Sequence, residues 1–254
     1  MWKSALFFCL LNVSYVTVAQ VDLHTRINGP FSDEHRQFIL DFIAGFQITD
    51  HPEGDMTPRD SWRTWNVVEN YSFGKDRGSL PMIADLKALH PYFREKVMQL
   101  IAICQTKGIE LELVETYRTH AKQNEYKSMG RKYTRSVGGH SKHQYGLAVD
   151  VVPVVDSVAQ WDNYRLWKKV GAVGESLGLR WGGRWRNPYD PGHFEWTGGL
   201  SSYHLANGLL PSVPKSYINP CLTEDLMLLS ESWKAWETEQ AAITRKSVAS
   251  SKMN

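Results

Sequence analysis

Cysteine is scarce in this chain, with three in 254 residues: Cys9, Cys104 and Cys221. That excludes a disulfide-dense scaffold and a four-cysteine zinc module. An excess of one charge is also missing, since 29 Lys+Arg against 27 Asp+Glu leave a formal +2. The balance argues against nucleic acid as the main partner. No apolar run reaches membrane-spanning length, and there is no low-complexity tract or internal repeat. What remains is the composition of a globular protein, 42% hydrophobic and 22% charged. Its length suffices for one good-sized domain or two small ones with a real core. The ten tryptophans are scattered and read as core and surface anchors.

The N-terminus begins Met1-Trp2-Lys3, continues through a mostly apolar stretch from Ala5 to Val18, and offers small residues at Thr17-Val18-Ala19 before Gln20. This is the pattern of a secretory signal peptide, residues 1–19, and its apolar core is too short for a membrane span. Cys9 follows Phe8 and comes too early for a lipoprotein site. The expectation is a soluble chain secreted to a periplasmic or extracellular compartment. In such a compartment Cys104 and Cys221 can pair; equally, Cys104 can be a buried thiol on an apolar helix face.

Residues 20–79 form an N-terminal extension of unknown role. Phe38, Ile39, Phe42 and Ile43 predict one short helix after Ser32, and the polar stretch with Pro52 and Pro58 reads as loop. From Leu80 to Thr197 the signals sharpen into one domain. Pro91 starts a helix in which Phe93, Val97, Leu100, Ile101 and Cys104 recur at helical spacing until Gly108. Ile109, Leu111 and Leu113 alternate with Glu110 and Glu112, as in a strand with one buried face. A helix over Thr119 to Met129, a basic loop from Arg131 to His140 and an apolar strand from Gly146 to Val154 follow. A further helix places Leu166, Val170, Val173 and Leu177 on one face, and a last short strand runs from His193 to Trp196. Residues 198–254 are a C-terminal extension ending in a helix whose Leu222, Leu226, Leu229, Trp233 and Trp236 share a face that should pack on the main domain. The mixture predicts an α+β fold with a small, mainly antiparallel sheet and flanking helices.

One acidic residue is out of place. Asp150 lies within Leu147-Ala148-Val149-Asp150-Val151-Val152, among residues that favour burial, and a lone buried carboxylate needs a cation, a metal or several donors. His143 stands seven residues earlier, with Gly146 between them, and His193 enters a strand directly after Asp190-Pro191-Gly192. Two imidazoles and one carboxylate make a three-ligand zinc site with a fourth position open to water, the arrangement of catalytic zinc. Asp190 can then serve as general base, and Arg118 is a cation for the developing oxyanion. His140 competes with His143 as ligand. Glu195 competes with Asp190 as base, because alternate strand residues share the face of His193.

Ser141-Lys142-His143-Gln144-Tyr145-Gly146-Leu147-Ala148-Val149-Asp150 resembles the S-x-H-x-x-G-x-A-x-D signature of the D-alanyl-D-alanine carboxypeptidase and L-alanyl-D-glutamate endopeptidase family of zinc peptidases. Asp190-Pro191-Gly192-His193-Phe194-Glu195 is similar to its second element, with an acidic residue three before a histidine ligand. Trp181-Gly182-Gly183 and Thr116-Tyr117-Arg118-Thr119, with Gln123, resemble segments of the phage-endolysin branch. The resemblance implies Zn2+ held by His143, Asp150 and His193, with Asp190 as catalytic base. It gives Arg118 the oxyanion or a substrate carboxylate, and places Ser141 and Gln123 at substrate-binding or supporting positions. The implied substrate is peptidoglycan or a muropeptide, and the implied fold is that of the hedgehog and D-Ala-D-Ala peptidase superfamily.

Two positions depart from the pattern: Arg184 after W-G-G, and Gly192 where proline is common before the histidine. Both bear on the shape of the cleft. Ser72-Phe73-Gly74-Lys75 fits the S-x-x-K motif of metal-free penicillin-binding carboxypeptidases, yet no K-T-G or S-D-N follows. A zinc-stabilised, non-catalytic cell-wall binding module is the remaining alternative.

Overall fold

The structure is a computed structural model, and it describes residues 62–69 and 75–251. The chain divides into Met1–Thr49 and Asp50–Asn254, and every described residue belongs to the second unit. The signal segment, the helix expected after Ser32, and Ser72 of the S-x-x-K motif lie outside the described residues.

The domain is built on a five-stranded antiparallel sheet. Strand β3 (Glu110–Glu115) pairs with β4 (Ala148–Val155), β4 with β7 (His193–Glu195), and β7 with β6 (Arg180–Trp181); β5 (Val158–Ala159) folds back on the far end of β4. A separate two-stranded ribbon joins β1 (Val67–Val68) to β2 (Met82–Ile83). Central β4 is buried from Ala148 through Pro153, which is why its sequence reads as a continuous apolar run rather than an alternation.

Strand β3 alternates as expected only at first. Leu111 is buried between exposed Glu110 and Glu112, but the register shifts between Leu113 and Glu115. The bulge sets Glu115 opposite Asp150, and with Val114 it is fully buried, so a carboxylate occupies the interior where the alternation would place an apolar residue.

Helix α1 (Pro91–Thr106) opens on Pro91, whose missing N–H costs nothing in the first turn, and buries Phe93, Val97, Leu100 and Cys104 completely. Helix α2 (His120–Ser128) is capped by Thr119, whose hydroxyl accepts from Lys122 N at 3.0 Å. Helix α3 (Tyr164–Ser176) is capped by Asn163 and lies so close to the sheet that a Cβ on Gly171 or Gly174 would meet the rings of Trp181 or Phe194 at 2.4 and 2.3 Å. A short α4 (Ser202–Ala206) precedes the long C-terminal α5 (Leu222–Ser251).

The apolar face expected on α5 is the one that packs. Leu229 and Trp236 are buried, with Trp233 against them, in a cluster with Trp62, Trp65, Ile83, Ala88 and Tyr117. Burial of each large side chain contributes on the order of 1.5–3 kcal/mol. Cys104 and Cys221 are free, one buried in α1 and the other exposed at the foot of α5. Among the described residues no helix is long and apolar enough to cross a membrane.

Candidate metal centre

His143 stands on a tight 3-10 turn, Lys142–Tyr145, between Ser141 and Gly146. The Gln144 carboxamide oxygen fastens the entrance by accepting from Gly139 N at 2.8 Å and Ser141 N at 3.3 Å. Gly146 closes the turn at φ +60, and a Cβ there would lie 2.9 Å from His90 N and 3.0 Å from Ala88 O. Both the left-handed conformation and the close backbone approach require glycine. The other two residues come from the sheet, where Asp150 on β4 sits directly opposite His193 on β7. Cross-strand partners present their side chains to the same face.

These placements bring three donor atoms together. His193 Nδ1 is 3.0 Å from Asp150 Oδ1, His143 Nε2 is 3.3 Å from His193 Nδ1, and His143 Nε2 is 3.4 Å from Asp150 Oδ1. Ligands about 2.0–2.1 Å from a tetrahedral zinc ion are separated by about 3.3–3.4 Å. The triangle is therefore the size of one face of a zinc tetrahedron. Among the described residues this is the group of acidic, cysteine or histidine side chains that can hold a metal. His140 is not part of it.

The outer partners fix which nitrogen faces the ion. His143 Nδ1 lies 3.1 Å from the Thr116 carbonyl, and a carbonyl can only accept, so the proton sits on Nδ1 and Nε2 carries the lone pair. His193 Nε2 lies 3.2 Å from Glu195 Oε2, which leaves Nδ1 free to ligate. Such carboxylate and carbonyl contacts orient metal-binding imidazoles and raise their basicity. Glu195 is held in turn by Arg180 at 2.5 Å and Lys142 at 3.9 Å. That engagement sets Glu195 to steady the His193 ring.

Electrostatics follow from the crowding. Burial acts to raise the Asp150 carboxyl, but His143 and His193 outweigh it and hold the group well below the usual range. Burial also acts against a charged His193, yet the hydrogen bonds of Asp150 and Glu195 prevail and push its pKa up to about 10. Glu195 is carried down to about 2, the His193 contact outweighing burial. Asp190 goes the other way. Burial, with the Asp150 charge nearby, raises its carboxyl above the ordinary value. Its loop is pinned by Gly182, whose carbonyl accepts from Asp190 N at 3.2 Å. A Cβ on Gly182 would fall 2.3 Å from the Asp190 carbonyl, so the first glycine of W-G-G is fixed by contact.

Arg118 is held by partners inside the protein. Its Nε and Nη2 donate to the two oxygens of Glu115 at 2.9 and 2.5 Å, and its Nη1 donates to Gln123 Oε1 at 3.0 Å. The guanidinium is buried, and its Nη2 is 3.6 Å from Asp150 Oδ2. Its donors are committed inside the protein, so Arg118 braces the metal carboxylate. Gln123 is likewise consumed, its amide donating to Thr134 Oγ1 at 3.0 Å and Ser136 O at 2.8 Å. Ser141 is buried at the head of the His143 turn. The two departures from the motif find partners: Arg184 pairs with Glu175 at 2.8 Å on α3, and Gly192 fits where a Cβ would meet Val151 O at 2.8 Å.

Two residues that the motifs did not single out complete the site. Glu115 is fully buried, opposite Asp150 on β3. Arg77 reaches Asp150 Oδ2 at 3.6 Å and Glu115 Oε2 at 3.9 Å. Glu115 closes a strand, and nothing in its local sequence marked its partnership with Arg118. Arg77 sits in a stretch with no periodicity, and nothing local marked it.

With this geometry in view, the profile of the D-alanyl-D-alanine carboxypeptidase family matches residues 134–196, the segment that holds all three donors and Asp190. This segment of the chain is similar to the peptidase domain of that family. The peptidase is 28% identical over 151 residues to the peptidoglycan L-alanyl-D-glutamate endopeptidase CwlK of Bacillus subtilis (strain 168), covering 54% of this chain and 83% of that protein. It is 29% identical over 117 residues to the L-alanyl-D-glutamate peptidase of Listeria phage A118, covering 45% of this chain and 40% of that one. Among solved structures it matches the Serratia marcescens L-Ala D-Glu endopeptidase ChiX at 24% identity and a TM-score of 0.37, over 44% of this chain and 83% of that chain. The peptidase is a hydrolase of a zinc-dependent family, and its His-Asp-His donor set fits that ion.

Proposed function

We propose that the peptidase is an exported zinc enzyme that cleaves the L-alanyl-D-glutamate bond of peptidoglycan stem peptides. The observation that carries the chemistry is the tetrahedral-face triangle of His143 Nε2, Asp150 Oδ1 and His193 Nδ1, with the raised carboxyl of Asp190 beside it. The choice of bond is supported by the two curated relatives, both L-alanyl-D-glutamate enzymes. Export is supported by the signal-like residues 1–19.

The bound ion supplies a Lewis acid that activates water and polarises the scissile carbonyl. The protein does the rest. His143 and His193 present one lone pair each, held in that tautomer by Thr116 and Glu195. Arg77 and Arg118, each 3.6 Å from Asp150 Oδ2, hold the carboxylate in place. Asp190 accepts the proton of the attacking water and returns it to the leaving amine, so that nitrogen departs neutral.

Digestion of purified muropeptides with mass analysis of the products tests the reading. The expected products part between L-Ala and D-Glu. Loss of a terminal D-Ala alone would move the assignment to a D-alanyl-D-alanine carboxypeptidase, the activity in the description of the matched family. Asp190→Ala should keep zinc and lose turnover, whereas His143→Ala or His193→Ala should lose both. Wild-type turnover in Asp190→Ala would overturn the role given to that residue. A binding module in place of an enzyme would hold cell-wall material and release no product.

A further inference from the structure

Helix α5 lies beyond the segment matched by the family and beyond every sequence motif of the site. Yet it grips the turn on which the site is assembled. Thr116 to His120 runs between the helix and the metal centre and faces both. Towards the centre, the Thr116 carbonyl holds His143 Nδ1, Arg118 N donates to His143 O at 3.3 Å, and the Arg118 guanidinium reaches Asp150. Towards the helix, the Tyr117 ring stacks on Trp233 with centroids 5.2 Å apart and planes 4° from parallel, and its hydroxyl donates to Glu237 at 3.3 Å. Thr119 Oγ1 donates to Gln240 Oε1, and His120 N donates to both Glu237 oxygens at 2.9 and 3.1 Å.

The same helix face reaches two further supports. Trp233 Nε1 donates to Ala88 O at 3.0 Å, and its ring edge lies 2.6 Å from where Gly146, the end of the His143 turn, would carry a Cβ. Gln240 Nε2 donates to Pro81 O at 2.7 Å. Trp233, Glu237 and Gln240 are spaced i, i+4, i+7, so one stripe of α5 makes all these contacts. A helix that only covered apolar surface would need Leu229 and Trp236. The polar groups of this stripe are aimed at the backbone and side chains of one short turn.

We infer that α5 is a positioning element of the metal centre, in which Trp233, Glu237 and Gln240 hold the Thr116–His120 turn where His143 and Asp150 can share an ion. This rests on the zinc-peptidase reading of the site, and it assigns the C-terminal helix to that site. The residues touch neither substrate nor ion, and act through Thr116 and Arg118.

The test uses the full chain and reads zinc affinity by competition with a chelating dye, alongside kcat and KM on muropeptides. Glu237→Ala and Trp233→Ala should each weaken zinc binding or lower kcat by about 10- to 100-fold, the range for outer partners of metal ligands, with KM changed little. Glu237→Gln, which keeps an oxygen for Tyr117 and His120 N, should recover most of the loss. Ile103→Ala, in the buried face of α1 away from this turn, serves as a variant destabilised without touching it and should leave zinc affinity at the wild-type value. Wild-type zinc affinity and kcat in Glu237→Ala and Trp233→Ala would overturn the inference. So would an equal loss of affinity in Ile103→Ala, since the effect would then follow stability alone. Wild-type protein that binds zinc but leaves muropeptides intact would count against the proposed substrate, while the zinc readout would still decide the role of α5.

Discussion

Replacing Arg118 with methionine removes the guanidinium while keeping much of its apolar length. The partner left behind is Glu115, with 0% of its surface exposed and both oxygens bonded to Arg118 at 2.9 and 2.5 Å. Stranding one charge of a buried pair costs about 3–5 kcal/mol. Glu115 keeps Arg77 at 3.9 Å and the Tyr126 hydroxyl at 3.4 Å, so the loss should fall near the lower end, about 3 kcal/mol. Replacing both partners, Arg118→Met with Glu115→Met, removes the stranded charge and should return stability to within about 1 kcal/mol of wild type. Urea unfolding of the full chain, with chelator present in all samples, measures the cycle. The double variant should still bind zinc at least about tenfold more weakly, because Asp150 has lost the cation at 3.6 Å. An unchanged unfolding midpoint in Arg118→Met, or a double variant as unstable as the single one, would refute the account of this pair.

Four further outcomes follow from particular contacts. Glu195→Gln should weaken zinc binding by about 10- to 100-fold in a dye-competition titration, because His193 Nε2 loses its carboxylate. Gly146→Ala should lower stability by more than about 1 kcal/mol and zinc affinity with it, since neither φ +60 nor the approach to His90 N accommodates a methyl; thermal unfolding and zinc titration check both. The His120 pKa is raised by its hydrogen bond to Glu237, against burial, so the stability it contributes is complete below its unfolded value and fades as pH rises through the higher folded one. The stability gap between wild type and His120→Ala should accordingly be larger at pH 6 than at pH 9 in denaturant titrations. Cys104 is pushed up to about 12 by burial, so peptide mapping after a thiol reagent on native protein should find Cys221 modified and Cys104 untouched until unfolding.

The parts of the molecule legible in the sequence were those with a local signature. Apolar spacing in α1 and α3 marked their buried faces, and the misplaced Asp150 within an apolar run marked the centre of the sheet. The resemblance of residues 141–150 and 190–195 to the family's signature singled out the three side chains that meet as metal donors. What stayed hidden depends on contacts distant in sequence. Glu115 is set opposite Asp150 by a bulge that no alternation encodes, and Arg77 reaches the site from a stretch without periodicity. Arg118 reads as a cation for the oxyanion or a substrate carboxylate, and its buried pairing with Glu115 is not visible in the sequence. The α5 helix showed its apolar stripe plainly, while Glu237 and Gln240 looked like ordinary exposed polar residues until the fold set them against Tyr117 and Thr119.

The pairing of Asp150 with His193 across β4 and β7 makes strand alignment and metal capture a single event. Side chains alternate faces along a strand, so sliding β7 by one step would turn His193 away from Asp150 and scatter the donors to opposite sides of the sheet. An insertion or deletion that shifts β7 by one step against β4 should therefore abolish the centre outright instead of weakening it by degrees.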